Sequence, residues 1–93
     1  DVISVGGLKI LPSEIERVAL KSKKIKNAKA YGRNNPLTGQ HVEIICEPRK
    51  NFKNYQQLKM NLKINFKKEL HENFIPLKIK FDKINYSYRY KKE

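Results

Sequence analysis

The chain has 93 residues, room for one core and not two. Its hydrophobic fraction of 39% supports a modest core, no apolar run nears the roughly 20 residues of a bilayer span, and the single Cys46 excludes an internal disulfide and an all-cysteine metal site. The formal net charge of +12 fits a polyanionic partner such as nucleic acid, an acidic membrane or a phosphorylated small molecule; lysine also exceeds arginine 17 to 4 with no tryptophan, a mix that AT-rich coding produces without any such partner.

The elements follow in chain order. VISV (2–5) and LKI (8–10) are short apolar runs around Gly6 and Gly7, which reads as a tight hairpin because glycine accepts positive φ. Pro12, Ser13 and Glu16 then form an S-x-x-E capping box, and Ile15, Val18, Ala19 and Ser22 share one face of a helix of about ten residues. Glu14 and Glu16 in the first turn complement the helix dipole. The basic run at 21–29 closes that helix, read first as a solvated end. Residues 28–34 read as a strand, 35–40 as a loop punctuated by Pro36 and Gly39, and 41–46 as a stronger strand. A polar connection (48–54) leads to a long amphipathic helix over 55–72. Its stripe is Tyr55, Leu58, Leu62, Phe66 and Leu70, with Met60 and Ile64 opposite and available to a partner domain. LKINF within it would also pass for a strand. After Pro76, residues 77–84 alternate as a last strand, and 85–93 form an aromatic, basic tail. The order β-β-α-β-β-α-β predicts an α+β domain over 1–93. It consists of a short N-terminal hairpin plus a small mixed or antiparallel sheet with two helices packed on it.

Unaided residue chemistry is sparse. His41 and His71 are far apart with no ligand partners at metal spacing, so no metal site is expected. There is no P-loop, no G-x-G-x-x-G and no Ser/His/Asp arrangement. Cys46, inside VEIIC, reads as a buried structural thiol in a cytoplasmic protein rather than as a nucleophile. Tyr86, Tyr88 and Tyr90 alternate with polar residues, which suits packing of a terminal strand or stacking of single-stranded nucleic acid. A small basic RNA-binding module is therefore the alternative reading, with steep salt dependence as its hallmark.

Together the element order and the opening DVISVGGLKILPSEIE resemble the C-terminal domain of the acyl-adenylate-forming superfamily. Its members include acyl- and aryl-CoA synthetases, nonribosomal-peptide adenylation domains and luciferases. The matching features are Asp1 after a hinge, Gly6-Gly7 in a hairpin and ILPSEIE (10–16) at a helix start. Residues 25–46 resemble the family's strand–turn–strand, and NFIPLKIKF (73–81) its passage from helix to strand. The likeness spans essentially the whole chain.

The resemblance implies a two-step reaction. A carboxylic acid attacks ATP to give an acyl-adenylate, and the thiol of CoA or of a carrier protein's phosphopantetheine takes the acyl group. The domain is then a mobile lid on an N-terminal adenylation domain, expected to be inactive alone, with Mg-bound ATP held mainly by that other domain. One face delivers a lysine to adenylation, here Lys91, six residues after Asn85 at the family's proline position, or Lys92 if the register runs unbroken from Pro76. The other delivers Gly6, Gly7 and the following Lys9 to the pantetheine tunnel. Lys78, Lys80 and Arg89 are cations that could meet CoA phosphates, and Thr38 stands where some CoA ligases carry an aromatic. No membrane partner is expected.

Overall fold

Gly6 and Gly7 both take positive φ, +58° and +86°, the backbone of a two-residue type I′ turn. That turn closes β1 (Ile3–Val5) against β2 (Leu8–Ile10), with Val5 opposite Leu8 and Ile3 opposite Ile10. These observations come from a computed structural model that describes residues 1–49 and 53–84.

Helix α1 (Pro12–Leu20) starts two residues earlier than a capping box would place it. Its N-cap is Leu11, Pro12 sits in the first turn, and no side chain caps the free amides. Ser13 is therefore inside the helix and the S-x-x-E box does not form. Proline at the first position removes one amide that would otherwise need a partner, which lessens the need for a cap. Glu14 does lie in the first turn, while Glu16 faces the sheet. Ile15, Val18 and Ala19 are buried as the helical spacing predicts; Ser22 is half-buried in the turn beyond the helix.

The basic run does not all belong to the helix end. Lysines 21, 23 and 24 lie in the turn, and β3 (Ile25–Asn35) begins inside the run with the fully buried Ile25. β3 pairs antiparallel with β4 (Gly39–Pro48) through a three-residue turn (36–38), after which Gly39 opens β4 at φ +88°. Helix α2 (Tyr55–Glu69) is capped by the Asn54 side chain, which accepts from the Gln57 amide at 3.0 Å. It ends three residues before the predicted limit, and the chain then makes a single 3-10 turn, η1 (Glu72–Phe74). Strand β5 (Lys78–Phe81) is shorter than predicted and pairs parallel with β4, setting Glu43 beside Lys78 and Cys46 beside Phe81. The three-stranded sheet thus has the order β3-β4-β5 and mixed pairing, with α2 in the β4–β5 crossover.

Alternation along the strands divides the sheet. Ala28, Ala30, Val42, Ile44, Cys46 and Ile79 point to the core, where they meet Ile15, Val18 and Ala19 of α1 and Leu58, Leu62 and Phe66 of α2. Ile3 and Val5 of the hairpin join the same cluster. Of the predicted α2 stripe, Tyr55 is exposed but its ring lies 5.1 Å from that of Phe81. Met60 and Ile64 face solvent. An ion pair between Lys21 and Glu69 joins the ends of the two helices. No described helix is long and apolar enough to cross a membrane.

Candidate functional site

A hairpin with three residues per strand cannot hold itself in place, so its position depends on what grips it. Apart from the buried Ile3 and Val5, three hydrogen bonds among the described residues do so. The Gly6 amide donates to the Thr38 carbonyl at 2.9 Å, in the β3–β4 turn. The Ser4 amide donates to Gln40 Oε1 at 2.8 Å. Asn73 Nδ2, from η1, donates to the Val5 carbonyl at 3.2 Å. Gln40 reaches Ser4 by lying over Gly32, where a Cβ would come within 2.8 Å of its amide nitrogen.

The turn that holds Gly6 is itself ordered by side chains. Leu37 N donates to Asn35 Oδ1 at 2.9 Å, an Asx turn, and Thr38 Oγ1 donates to the Gln40 carbonyl at 2.6 Å. Between this turn, η1 and the start of β5 lies a hollow of about 210 Å³ whose walls include Val5, Thr38, His41, Asn73 and Leu77. Leu37 at 92% and Leu77 at 71% exposure stand around this end of the molecule. Leu37 belongs to the turn that holds Gly6, and Leu77 lines the hollow beside Val5. Lys9 is exposed opposite Ser4, on the strand that follows the turn. The structure thus brings Gly6, Gly7 and Lys9 together at one end. Lys91, Lys92, Arg89 and the three tail tyrosines lie outside the described residues.

A second polar cluster occupies the sheet face away from the helices. Glu43 is 5% exposed, and its carboxylate accepts from Tyr31 Oη at 3.0 Å, Arg33 Nε at 3.2 Å and His41 Nε2 at 2.9 Å. Asn35 Nδ2 lies 3.1 Å from His41 Nδ1, so this nitrogen accepts and Nε2 carries the proton towards Glu43. The His41 bond, aided by Tyr31 and Arg33, outweighs burial and holds the Glu43 carboxyl at about 2 against an ordinary 4.5. Both carboxylate oxygens are engaged, which makes the cluster a brace between β3 and β4 rather than acid–base machinery. Burial pushes the Cys46 thiol up to about 12, so it is no nucleophile. Among the described residues no three His, Cys, Asp or Glu gather as metal ligands.

Gln40 and Asn73 are invisible as site residues in the sequence, and Thr38 is marked there only as a position for an aromatic, not for the carbonyl that holds Gly6. Their contacts span 36, 68 and 32 positions, and no local pattern marks an asparagine that will hold a distant carbonyl.

Solved structures share this fold. An acyl-CoA synthetase from Brucella canis superposes with a TM-score of 0.78 at 27% identity over 88% of this chain and 15% of its own. The o-succinylbenzoate CoA synthetase of Bacillus subtilis, bound to an acyl-adenylate, gives 0.76 at 24% identity over 88% and 16%. An anthranilate CoA ligase in complex with anthranoyl-AMP gives 0.80 at only 15% identity over 88% and 16%, which speaks to fold alone. This is the C-terminal domain fold of the acyl-adenylate-forming superfamily. No protein-family model matches the chain, and no curated protein matches it. The adenylate-forming-type domain spans about one-sixth of the solved chains it resembles.

Proposed function

We propose that this domain is the mobile lid of an ATP-dependent ligase that joins a carboxylic acid to CoA or a carrier protein, and that it works with an N-terminal adenylation domain. The observation that carries the reading is the anchored glycine hairpin. Gly7, at φ +86°, has open space where a Cβ would stand, so bare backbone is offered to a thin ligand chain. A pantetheine arm fits that surface, and when bound it supplies the thiol that accepts the acyl group. The hairpin orients the arm and excludes water around it, and the exposed Leu37 and Leu77 suit docking against the larger domain. Lys91 or Lys92 is assigned to the adenylation step, where a mobile ammonium offsets charge on the carboxylate and α-phosphate. Alternation between the two faces is a gating motion of a familiar kind. Lid closure then decides which group meets the substrate.

The test is acid-dependent ATP–pyrophosphate exchange by this domain joined to its adenylation domain, with acetate, octanoate and benzoate among the acids. Loss of exchange in Lys91→Ala or Lys92→Ala identifies the adenylation lysine. Retained exchange with slowed thioester formation in Gly7→Ala supports the tunnel role. Unchanged thioester formation in Gly7→Ala overturns it.

A further inference from the structure

The two glycines of the hairpin have different surroundings. A Cβ on Gly6 would stand 3.1 Å from Asn73 Nδ2, while one on Gly7 would meet nothing within 4 Å. The Gly6 amide is already committed to the Thr38 carbonyl. The same Asn73 nitrogen donates to the Val5 carbonyl, the residue before the turn. Asn73 is also a prepared donor: its own amide donates to His71 Nδ1 at 3.0 Å within the 3-10 turn, and Phe74 next to it is buried. Of the three bonds that hold the hairpin among the described residues, two come from the β3–β4 region and this one from η1.

We propose that Asn73 is a positioning residue that latches the glycine hairpin to the body of the domain. Gly6 and Gly7 then serve different ends. Gly6 leaves room for the latch to close over the turn. Gly7 presents backbone outward, to the thiol-bearing chain. The role of Gly7 rests on the ligase reading above; the latch does not, because it follows from contacts within the domain. The carboxamide is the needed group, since a carboxylate of the same shape has no proton to give and would face the Val5 carbonyl with like charge.

The experiment has two arms. In the 93-residue chain, amide hydrogen exchange is read by NMR at Gly6 for wild type, Asn73→Asp, Asn73→Ala and Asn73→Gln. Loss of one neutral hydrogen bond speeds Gly6 exchange roughly 5- to 10-fold in the Asp and Ala variants. Core amides such as Ile44 keep their protection, and Asn73→Gln, which retains the donor, recovers part of the effect. In the two-domain ligase the Asp variant raises KM for pantetheine by a similar factor and leaves acid-dependent pyrophosphate exchange unchanged. A merely structural lesion would lower both half-reactions together. Unchanged Gly6 exchange in Asn73→Asp overturns the latch, and parallel loss of both half-reactions overturns the positioning role. A wild-type protein that forms no thioester with pantetheine from acetate, octanoate or benzoate removes the role given to Gly7, while Gly6 exchange still decides the latch.

Discussion

The Glu16 carboxylate accepts a hydrogen bond from the Ala30 backbone amide at 2.8 Å. Ala30 lies on β3, whose other edge pairs with β4, so this amide points out of the sheet. Glu16 covers it from α1, fixing helix to strand and blunting an exposed edge. Replacing Glu16 by Ala leaves a half-buried amide without this partner and is expected to cost about 1–3 kcal/mol. Glu16→Gln keeps an acceptor and should cost less. Ser13→Ala should change stability by less than about 0.5 kcal/mol, because Ser13 caps nothing. Urea denaturation of the three variants checks this. A large loss in Ser13→Ala would restore the capping box.

Glu43 makes the domain acid-sensitive. Its folded carboxyl sits at about 2 and its ordinary value is 4.5, so the unfolded chain takes up a proton first as pH falls. The stabilisation is therefore present in full above about 4.5 and is lost between there and about 2. Glu47, lowered chiefly by its hydrogen bond from Asn27, acts with the same sign. Unfolding free energy measured at pH 6 and at pH 3 should fall with acid in wild type and fall less in Glu43→Gln. Equal slopes in the two proteins would remove Glu43 from the account.

Cys46 should be silent in the native state. It is fully buried and its thiol is raised to about 12 by burial, so at pH 8 hardly any thiolate is present. Iodoacetamide should label it only after denaturant is added. Cys46→Ser puts a hydroxyl among Ala28, Ile44 and Phe81 and is expected to cost about 1–3 kcal/mol, whereas Cys46→Ala should cost nearer 1 kcal/mol. Rapid labelling of the native protein would show that this part of the core opens readily.

Gly32 and Gln40 are coupled. A Cβ on Gly32 would crowd the Gln40 amide at 2.8 Å and push it from the Ser4 amide. Gly32→Ala should cost about 1 kcal/mol in the wild-type background, the worth of one hydrogen bond. In a Gln40→Ala background the clash is gone, and the same change should be neutral or stabilising by up to about 1 kcal/mol, since alanine is less costly than glycine to order in a strand. A double-mutant cycle reads the difference. Additive effects would mean that the two side chains do not interfere.

Much of the fold is legible in the chain because its signals are local. Paired glycines between short apolar runs specify the β1–β2 turn, since few other residues tolerate positive φ at both positions. Leu58, Leu62 and Phe66 recur at the helical period and are all buried, as Ile15, Val18 and Ala19 are in α1. The family resemblance rests on the same stretches, and it led to Gly6, Gly7 and Lys9. What tertiary structure decided is each contact between residues far apart in sequence. Whether Glu16 turns back to its own helix start or across to Ala30 depends on where β3 lies. The parallel pairing of β5 with β4 depends on the path of α2. Asn73 has no periodic or charged pattern around it, and only the packing of η1 against the hairpin brings its amide to Val5. Residue types and spacings set local conformation through sterics and burial, while the partner of a hydrogen-bonding side chain is chosen only when the core closes and leaves particular backbone groups to be satisfied.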